Sequence, residues 1–287
     1  MKKDITELYC LVDDFCIKLD KFLSSKSIGH LKRKTRECSI SISVIVTILL
    51  LFHISPCKNF KYFYLSYLQL YKADFGHLLS YNRFIELIPR SFVYVAALCY
   101  SLSGKKTGIY FIDSTPIAVC HNKRIRSNKV FHKIARLGKS SKGWFFGFKL
   151  HMVINQYGEY MSLALTHGNT DDRKPVEVLT KDLLGRLFGD LGYIGKQLFI
   201  PLLDRGLTLV TKLKKNMQNK LMRLEDKILL RKRSIIETCF DYLKNKFSLE
   251  HTRHRSPINA IIYIFSTIVS YALKPLKPAI SMYYYIG

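Results

Sequence analysis

The clearest structural signal in the chain is the segment Gly108-Ile109-Tyr110-Phe111-Ile112-Asp113-Ser114-Thr115-Pro116. Its apolar residues do not alternate with polar ones, which predicts a strand buried on both faces. Proline cannot donate to a strand ladder, so we expect the strand to end at residues 114–116. An aspartate at the end of a buried strand is costly to desolvate. Asp113 therefore needs a cationic partner, which is either a basic side chain or a metal ion.

A second aspartate follows an apolar run in the segment 185–195, where Asp190 lies inside a glycine-rich turn. If the strands before Asp113 and Asp190 are neighbours in one sheet, the two carboxylates meet at the same edge. Two carboxylates a few ångströms apart repel each other unless a divalent cation lies between them. Oxygen ligands without a cysteine or histidine favour Mg²⁺, with Mn²⁺ as the alternative.

Glu237 is the best candidate for a third acid, because residues 228–247 contain no glycine or proline and predict one long helix. At 100° per residue, Arg233 lies about 40° and Lys244 about 20° from Glu237 on the helix surface. The three side chains would thus form one charged stripe along the helix. In this arrangement the glutamate could reach a metal while the two cations bind phosphates. Asp241 is the alternative ligand. Each acid also has a simpler explanation, since a strand-end aspartate often caps the next turn and Arg233 with Glu237 can form only an ion pair.

The order of elements after residue 104 predicts an α/β domain with a mixed five-stranded sheet flanked by helices. The predicted strands are 109–113, 145–155, 159–165, 185–190 and 207–213. The predicted helices are 175–184, 195–205 and 228–247. The turn Gln156-Tyr157-Gly158 predicts a hairpin between the second and third strands. No glycine-rich nucleotide-binding motif is present, so nucleotide-cofactor chemistry has no support.

The residues before this domain predict helices only, at 5–23, 39–54, 59–71 and 81–102. We therefore expect an all-α N-terminal domain at 1–104, the α/β domain at 105–257, and an apolar C-terminal helix and tail at 258–287. The tyrosines and lysines of the N-terminal domain suit contacts with DNA bases and phosphates, or else they simply form its core and rim.

The chain is strongly basic, with 46 Lys and Arg against 21 Asp and Glu and a formal net charge of +25 over 287 residues. Such an excess indicates a polyanionic partner, nucleic acid first and an anionic membrane surface second. Nine basic residues and no acidic one occur from Lys123 to Lys149. This composition predicts a partly mobile phosphate-binding loop, with Lys123, Arg124 and Arg126 as DNA contacts.

The cysteines and the apolar stretches indicate a cytosolic protein without a membrane partner. Seven scattered cysteines form no CxxC pair, which predicts reduced thiols rather than a disulfide framework or a zinc ribbon. The apolar stretches 40–54 and 258–273 are shorter than the roughly 20 residues of a membrane span, so we expect buried helices. The N-terminal residues carry charge without the apolar core of a signal peptide.

Six motifs follow one another along the second part of the chain. They are Phe111-Ile112-Asp113-Ser114-Thr115-Pro116, Gly143-Trp144-Phe145-Phe146-Gly147-Phe148-Lys149-Leu150-His151, Gly168-Asn169-Thr170-Asp171-Asp172-Arg173, Phe188-Gly189-Asp190-Leu191-Gly192-Tyr193-Ile194, the segment from Arg233 to Lys244, and His251-Thr252-Arg253-His254-Arg255-Ser256-Pro257. In this order they resemble a bacterial insertion-sequence transposase of the DDE type, with the insertion sequence 982 family as the closest branch. The related signature Tyr-x2-Arg-x3-Glu-x6-Lys is matched by Arg233, Glu237 and Lys244, with Leu230 at the tyrosine position.

The resemblance implies an RNase H-like fold for residues 105–257. It implies that Asp113, Asp190 and Glu237 are the catalytic triad and the ligands of two Mg²⁺ ions, with Mn²⁺ possible in their place. The implied reaction is hydrolysis of a phosphodiester at the element end, followed by attack of the freed 3′-OH on target DNA.

By the same resemblance, the partners are double-stranded DNA, as element ends and target, and further copies of the chain in a homodimer or larger synaptic oligomer. The implied location is the bacterial cytoplasm, in association with the nucleoid. The expected phosphate contacts are Lys149, His151, Arg233 and Lys244. Asp172 is expected to shape the site without binding the metal. Two other functions stay open: a metal-dependent nuclease of the same fold that does not transfer strands, and an inactive DNA-binding product of a decayed element.

Overall fold

A computed structural model describes residues 5–26, 39–141, 143–212, 222–251 and 253–280. The chain forms two compact units. The helical unit takes in the chain up to Leu102, Lys246–Ser248 and Ser256–Leu273, and the sheet unit takes in Ser103–Asn245, Leu249–Arg255 and the chain from Lys274. The domain limits drawn from the sequence stay a prediction, to which these contacts add that the apolar helix near the C-terminus belongs to the helical unit.

The secondary structure follows the hydrophobic patterns of the sequence. The α-helices are α1 Thr6–Ser25, α2 Ile42–Ile54, α3 Phe60–Leu65, α4 Lys72–Phe75, α5 Tyr81–Leu87, α6 Phe92–Ser101, α7 Val176–Leu179, α8 Lys196–Asp204, α9 Leu224–Arg231, α10 Ser234–Asp241 and α11 Pro257–Ala272. The strands are β1 Ile109–Ala118, β2 Arg136–Ser140, β3 Gly143–Asn155, β4 Tyr160–His167, β5 Gly185–Phe188 and β6 Leu207–Val210. The end of the predicted strand at residue 213 and the tail 281–287 lie outside the described residues.

The core of the helical unit forms around α2 and α11, which contact each other. Nearly all α2 side chains are buried, and the Ser41 side chain caps the helix by accepting a hydrogen bond from the Val44 N–H. Phe63, Tyr64 and Tyr71 are at most 1% exposed, so these aromatic residues belong to the core. Of the two roles considered for the aromatic residues of this region, these three therefore have the structural one.

Residues Tyr81–Ser101 form one continuous helical run that is long and apolar enough to cross a membrane, judged by length and composition alone. The 3₁₀ segment Ile88–Ser91, which contains Pro89, interrupts this run between α5 and α6. A single run of this kind is weak support for a span, because the core helix of a soluble protein can be equally long and apolar. The six cysteines that fall within the described residues all carry free thiols.

The sheet unit has the mixed α/β architecture predicted from the sequence, with helices beside a mixed sheet. The strand order is β2-β3-β1-β5-β6, and β4 pairs with β3. β1 pairs with β5 and β5 with β6 in parallel, whereas β3 is antiparallel to each of its three partners. The described sheet therefore has six strands rather than five, and the predicted hairpin joins β3 to β4, with Gly158 at φ +69° in its turn.

β1 continues through Pro116, so the prediction that the strand ends at residues 114–116 was wrong. The Pro116 carbonyl accepts a hydrogen bond from Lys244 Nζ, away from β3. Since the nitrogen and carbonyl of one strand residue point to the same side, the missing N–H of Pro116 also faces away from β3. β5 covers only Ile109–Phe111, which leaves Pro116 on an edge where proline is tolerated.

The basic segment before β3 is more regular than the predicted mobile loop. It contains the 3₁₀ segment Asn122–Arg124 and the additional strand β2. Phe131 is 1% exposed and contacts Phe148 edge to face, with ring centroids 6.2 Å apart. The carbonyl of Ile134 lies 2.7 Å from His167 Nδ1. A buried aromatic anchor and a strand pairing thus hold a segment that its composition alone assigned to a loop.

The predicted helix 228–247 is divided. α9 ends at Arg231, and at the start of α10 the backbone N–H groups of Arg233, Ile235 and Ile236 bond to the third rather than the fourth preceding carbonyl. A π-helical turn, Tyr242–Lys246, then follows α10. Neither change needs glycine or proline, which explains why neither could be predicted from the residues of this segment. The predicted helix 175–184 is also shorter and is limited to α7.

Candidate active site

The two aspartates predicted to meet follow equivalent positions of neighbouring parallel strands. The last residues paired between β1 and β5 are Phe111 and Phe188. Asp113 and Asp190 each come two residues later. Residues at equal offsets on parallel neighbours lie at the same edge of a sheet. The condition set by the sequence, that the two strands be neighbours, is therefore met.

Arg233 is the cationic partner of Asp113. It lies at the break between α9 and α10, where its Nη1 donates to Asp113 Oδ2 over 3.0 Å and its Nη2 donates to Glu237 Oε1 over 2.9 Å. Of the two partners considered for Asp113, the structure contains the basic side chain. One guanidinium thus joins two of the three candidate acids, which the sequence could not indicate because Arg233 and Asp113 are 120 residues apart.

The Asp113 carboxyl group is poorly solvated. Burial raises its pKa to about 6, and the negative charge of Glu237 acts in the same direction. The Ser114 N–H, 2.8 Å from Oδ1, and the charge of Arg233 oppose this rise by stabilising the carboxylate. Because desolvation is the largest effect, additional positive charge at this position would stabilise the ionised form.

Asp190 has the capping role that was considered as a simpler explanation. Its Oδ1 accepts a hydrogen bond from the Leu191 N–H over 2.6 Å and caps the 3₁₀ segment Leu191–Tyr193. The residue is exposed, in contrast to Asp113. A carboxylate has two acceptor oxygens, so capping does not prevent Asp190 from binding a further partner.

Tyr193 lies near these acids, and the sequence reasoning missed it as a site residue. Its side chain is 2% exposed, and its hydroxyl oxygen has no hydrogen-bond partner among the described residues. Burial raises the pKa of the hydroxyl, and the charges of Asp113, Asp172 and Asp190 raise it further. The charges of three carboxylates therefore act on one buried phenol. The available sequence signal, a tyrosine three residues after Asp190, is too common to identify such a position.

Asp172 is the fourth carboxylate of the site and connects two strands. Its Oδ1 accepts hydrogen bonds from Ser114 Oγ on β1 over 2.9 Å and from Lys149 Nζ on β3 over 3.0 Å. His151 Nδ1 lies 3.8 Å from the same oxygen. These contacts hold the residue after Asp113 against β3, which agrees with the expected role of Asp172 in shaping the site.

Lys149 and His151 were predicted to contact phosphates, but both point into the Asp172 network. The Lys149 side chain is 15% exposed, and its Nζ also donates to the Thr170 carbonyl over 3.1 Å. His151 is fully buried, with Nε2 2.8 Å from Thr166 Oγ1, and burial lowers its pKa to about 4. A buried, neutral ring does not favour a phosphate contact, and the DNA contact of His151 stays a prediction. A DNA contact of Lys149 stays a prediction.

Lys244 contacts the part of β1 that β5 does not cover, and it does not lie beside Glu237 in the predicted charged stripe. Its Nζ donates to the Pro116 carbonyl over 2.7 Å and lies 3.6 Å from Glu250 Oε2. Glu250 Oε1 in turn accepts a hydrogen bond from the Ala118 N–H over 2.8 Å. The two side chains therefore satisfy the part of β1 that β5 does not cover. The π-helical turn removes the regular helix on which the predicted stripe depended.

Three of the predicted DNA contacts lie on the surface. They are Lys123, Arg124 and Arg126, all of them exposed, in and just after the 3₁₀ segment Asn122–Arg124. Exposure is what a phosphate contact requires, but the contact itself stays a prediction. Arg233 differs from these residues, because two carboxylates already engage its guanidinium.

The donor types of the site suit a divalent metal ion, since Asp113, Asp190 and Glu237 offer only oxygen. The raised pKa of Asp113 also indicates a carboxylate that further positive charge would stabilise. In the arrangement shown, however, the described residues include no group of three His, Cys, Asp or Glu side chains placed to hold a metal ion. Arg233 engages one oxygen of Asp113 and one of Glu237, so a metal ion at these carboxylates competes with its positive charge.

Two carboxylates at one edge of a mixed sheet, in a chain of net charge +25, suit an enzyme that acts on nucleic acid. A family model described as Transposase DDE domain matches residues 103–257, just over half of the chain. The protein therefore belongs to the DDE transposase-domain family, whose members generally use divalent metal ions. A search of curated proteins found no match. The insertion sequence 982 branch and the bacterial source stay predictions.

Proposed function

We propose that the protein is a DNA transposase that cleaves phosphodiesters at the ends of an insertion sequence and joins the freed 3′-OH to target DNA. The observation that carries the proposal is the register of β1 and β5, which brings Asp113 and Asp190 to one edge of the sheet. The link from Asp113 through Arg233 to Glu237 supports a common site for the three acids. Membership of the DDE transposase-domain family supports the same conclusion.

The proposed catalytic triad and metal ligands are Asp113, Asp190 and Glu237. When bound, two Mg²⁺ ions, or Mn²⁺ in their place, activate the attacking oxygen and stabilise the leaving oxygen of the phosphodiester. Asp113 supplies a desolvated carboxylate, and Arg233 keeps Asp113 and Glu237 close together before the ions bind. Asp172 fixes the strand segment that carries Asp113.

The proposed partners are double-stranded DNA, both element ends and target, and at least one further copy of the chain. A net charge of +25 supports the DNA partner. We assign the main phosphate contacts to Lys123, Arg124 and Arg126, with Lys149, Arg233 and Lys244 closer to the acids. The proposed location is the bacterial cytoplasm at the nucleoid, where such a substrate occurs.

Replacing Asp113 by asparagine tests the proposal. We expect Asp113→Asn to abolish Mg²⁺-dependent cleavage of a plasmid that carries the gene with its flanking DNA, because the neutral amide lacks the negative charge with which the carboxylate binds a divalent ion. Binding of the same DNA should survive, because the exposed basic residues are unchanged. Gel analysis of the cleaved DNA and a filter-binding assay measure the two properties.

Asp182→Asn is the matched control, since Asp182 is an exposed aspartate of the same unit. It should leave both cleavage and binding unchanged, and undiminished cleavage by Asp113→Asn would contradict the site. Products in which a 3′-OH end is joined to a second DNA distinguish the transposase from a nuclease of the same fold. Wild-type protein that binds DNA without cleaving it would instead indicate an inactive element product.

A further inference from the structure

The single tryptophan of the chain, Trp144, is exposed on the surface of the sheet unit. It lies near the start of β3 and is 57% exposed, although an indole ring is normally one of the most deeply buried side chains. Its backbone is held in place, because Asn122 Nδ2 donates to the Trp144 carbonyl over 2.8 Å. The chain thus presents a large flat aromatic surface from a fixed strand position.

Basic residues surround this ring. Lys139 lies directly opposite Trp144 in the β2–β3 ladder, and its Nζ is 5.8 Å from the centre of the indole. The exposed residues Lys123 and Arg124 lie in the turn that also contains Asn122. The sequence has no acidic residue from position 114 to position 158. An exposed aromatic ring among cations without carboxylates has the composition of a nucleic-acid contact.

The basic segment beside Trp144 is ordered before any ligand binds. Arg136 Nη1 donates to the carbonyls of His132, Lys133 and Ala135, over 3.4, 3.3 and 2.9 Å. The buried ring of Phe131 anchors the same segment. Since these side chains and backbone groups are already fixed, binding loses less conformational entropy than it would with a free loop.

This surface is separate from the candidate acids. Asp113 is opposite Met152 in the β1–β3 ladder, and Trp144 lies eight residues earlier on β3. At about 3.4 Å per residue, the strand path between them is roughly 27 Å. A single nucleotide stacked on Trp144 therefore does not touch the residues proposed for catalysis.

We propose that Trp144 and Lys139 form a binding site for an unpaired nucleotide of the DNA substrate. The base stacks on the exposed face of the indole, and Lys139 with the neighbouring basic residues contacts the phosphates on either side. In an intact duplex each base face is covered by its neighbours, so stacking on a side chain requires an unpaired base. The proposal rests on the proposed function only in taking DNA as the substrate.

The fluorescence of Trp144 tests the site directly in the unaltered full-length protein, since there is no other tryptophan to contribute. We expect a thymidine oligonucleotide of about 12 nucleotides, a length that suits single-strand sites, to cause a saturable loss of tryptophan fluorescence without any metal ion. A blunt duplex of equal length should bind, as measured by fluorescence anisotropy of a dye on the DNA, but cause little loss.

Variants then test the two side chains. Trp144→Ala should weaken binding of the thymidine oligonucleotide about 5- to 150-fold, the range typical of one lost stacking contact. Trp144→Phe retains an aromatic face and should lose less, which also controls for folding. Lys139→Gln should reduce the slope of log affinity against log salt by about 0.7, as expected for one lost phosphate contact. Tyr157→Ala removes another exposed aromatic of the same unit and should leave the affinity unchanged.

Three results would overturn the proposal. The first is single-strand binding, seen by anisotropy, that leaves the tryptophan fluorescence unaltered. The second is an equal loss of fluorescence with the duplex. The third is a loss that depends on protein concentration without DNA, which would identify an interface between copies of the chain. Because no metal or cleavage is involved, these outcomes are independent of the Asp113→Asn result.

Discussion

Arg233 decides how the candidate acids are arranged in the structure. It is the shared counter-charge of Asp113, which is poorly solvated, and of Glu237, which is 56% exposed. A divalent ion bound by the same carboxylates has to compete with this guanidinium. The arginine that stabilises the metal-free site therefore also limits metal binding, and this competition can be measured.

We expect Arg233→Gln to lower the free energy of unfolding in metal-free buffer by roughly 1–3 kcal/mol, because two carboxylates lose a charged hydrogen-bond donor. Mg²⁺ should then raise the melting temperature of the variant more than that of the wild type. Thermal unfolding followed by circular dichroism, with and without Mg²⁺, measures both effects. Arg173→Gln is the control, since Arg173 pairs with Asp171 on the surface. Equal Mg²⁺ effects in the wild type and Arg233→Gln would contradict the competition.

His53 makes the stability of the helical unit depend on pH. Burial lowers the pKa of His53 to about 4, although its hydrogen bond to the Phe247 carbonyl, 2.8 Å from Nδ1, acts in the opposite direction. Between pH 6.5 and 4 the unfolded chain therefore binds a proton that the folded chain does not. Stability is lost as the pH falls through this range, by about 2 kcal/mol from this residue between pH 7 and pH 5.

Denaturant unfolding at pH 7 and pH 5 tests this effect. His53→Gln keeps a hydrogen-bond donor but no titrating group, so we expect its stability to fall less than that of the wild type. His121→Gln, at an exposed histidine, should behave like the wild type. If His53→Gln and the wild type lose the same stability on acidification, His53 is not the cause.

β1 and β3 are the elements that position the site, and Gly147 lies where the two strands leave no room for a side chain. Gly147 is opposite Ala118, and a methyl group at Gly147 would overlap the backbone carbonyl of Ile117. No side chain can rotate to relieve this overlap, because the obstructing atom belongs to the backbone of the paired strand. The glycine is therefore required by the ladder that holds Asp113.

We expect Gly147→Ala to destabilise the protein by roughly 2–4 kcal/mol, in the range of substitutions that overpack a fixed position. Gly192→Ala is the matched control, because an added methyl group there meets no atom within 4 Å. Its effect should stay within about 1 kcal/mol. Denaturant titration of both variants measures the difference, and a Gly147→Ala protein as stable as Gly192→Ala would show that the strands can separate at this point.

α11 belongs to the helical unit although it is far from the other helices of that unit in the sequence. It packs against α2 and α6, although about 150 residues of the sheet unit lie between α6 and α11 in the sequence. Ten of its sixteen residues are buried, so α11 is an internal helix of its unit. This burial explains the apolar composition of α11, for which a membrane span was the alternative explanation.

The charge of the whole molecule should dominate its affinity for duplex DNA. If six to ten phosphates are neutralised, raising the salt concentration from 50 to 200 mM should weaken binding by about 10³- to 10⁵-fold. Anisotropy titrations over this range measure the slope. Asp113→Asn, which alters the acids and not the basic surface, should give nearly the same slope. A slope near zero would contradict binding through phosphate neutralisation.

The sequence by itself determined the composition-dependent and locally periodic properties of this protein. The basic charge, the helical first hundred residues and the α/β order of elements all follow from patterns that neighbouring residues create. That Asp113 and Asp190 directly follow apolar runs of the sequence could be seen for the same reason. The family resemblance added the expectation that these two aspartates belong to a catalytic triad and the reaction that the triad would perform.

Only the tertiary structure decided which side chains meet. Arg233 reaches Asp113 because of a helix break that has no sequence signal, and it provides one of the two cationic partners that the sequence left open for Asp113. His151 is buried because β3 is covered, a property of neighbours far apart in the chain. Pro116 is tolerated inside β1 because β5 stops short of it. Desolvation and long-range pairing depend on atoms brought together by folding, so no local pattern can specify them.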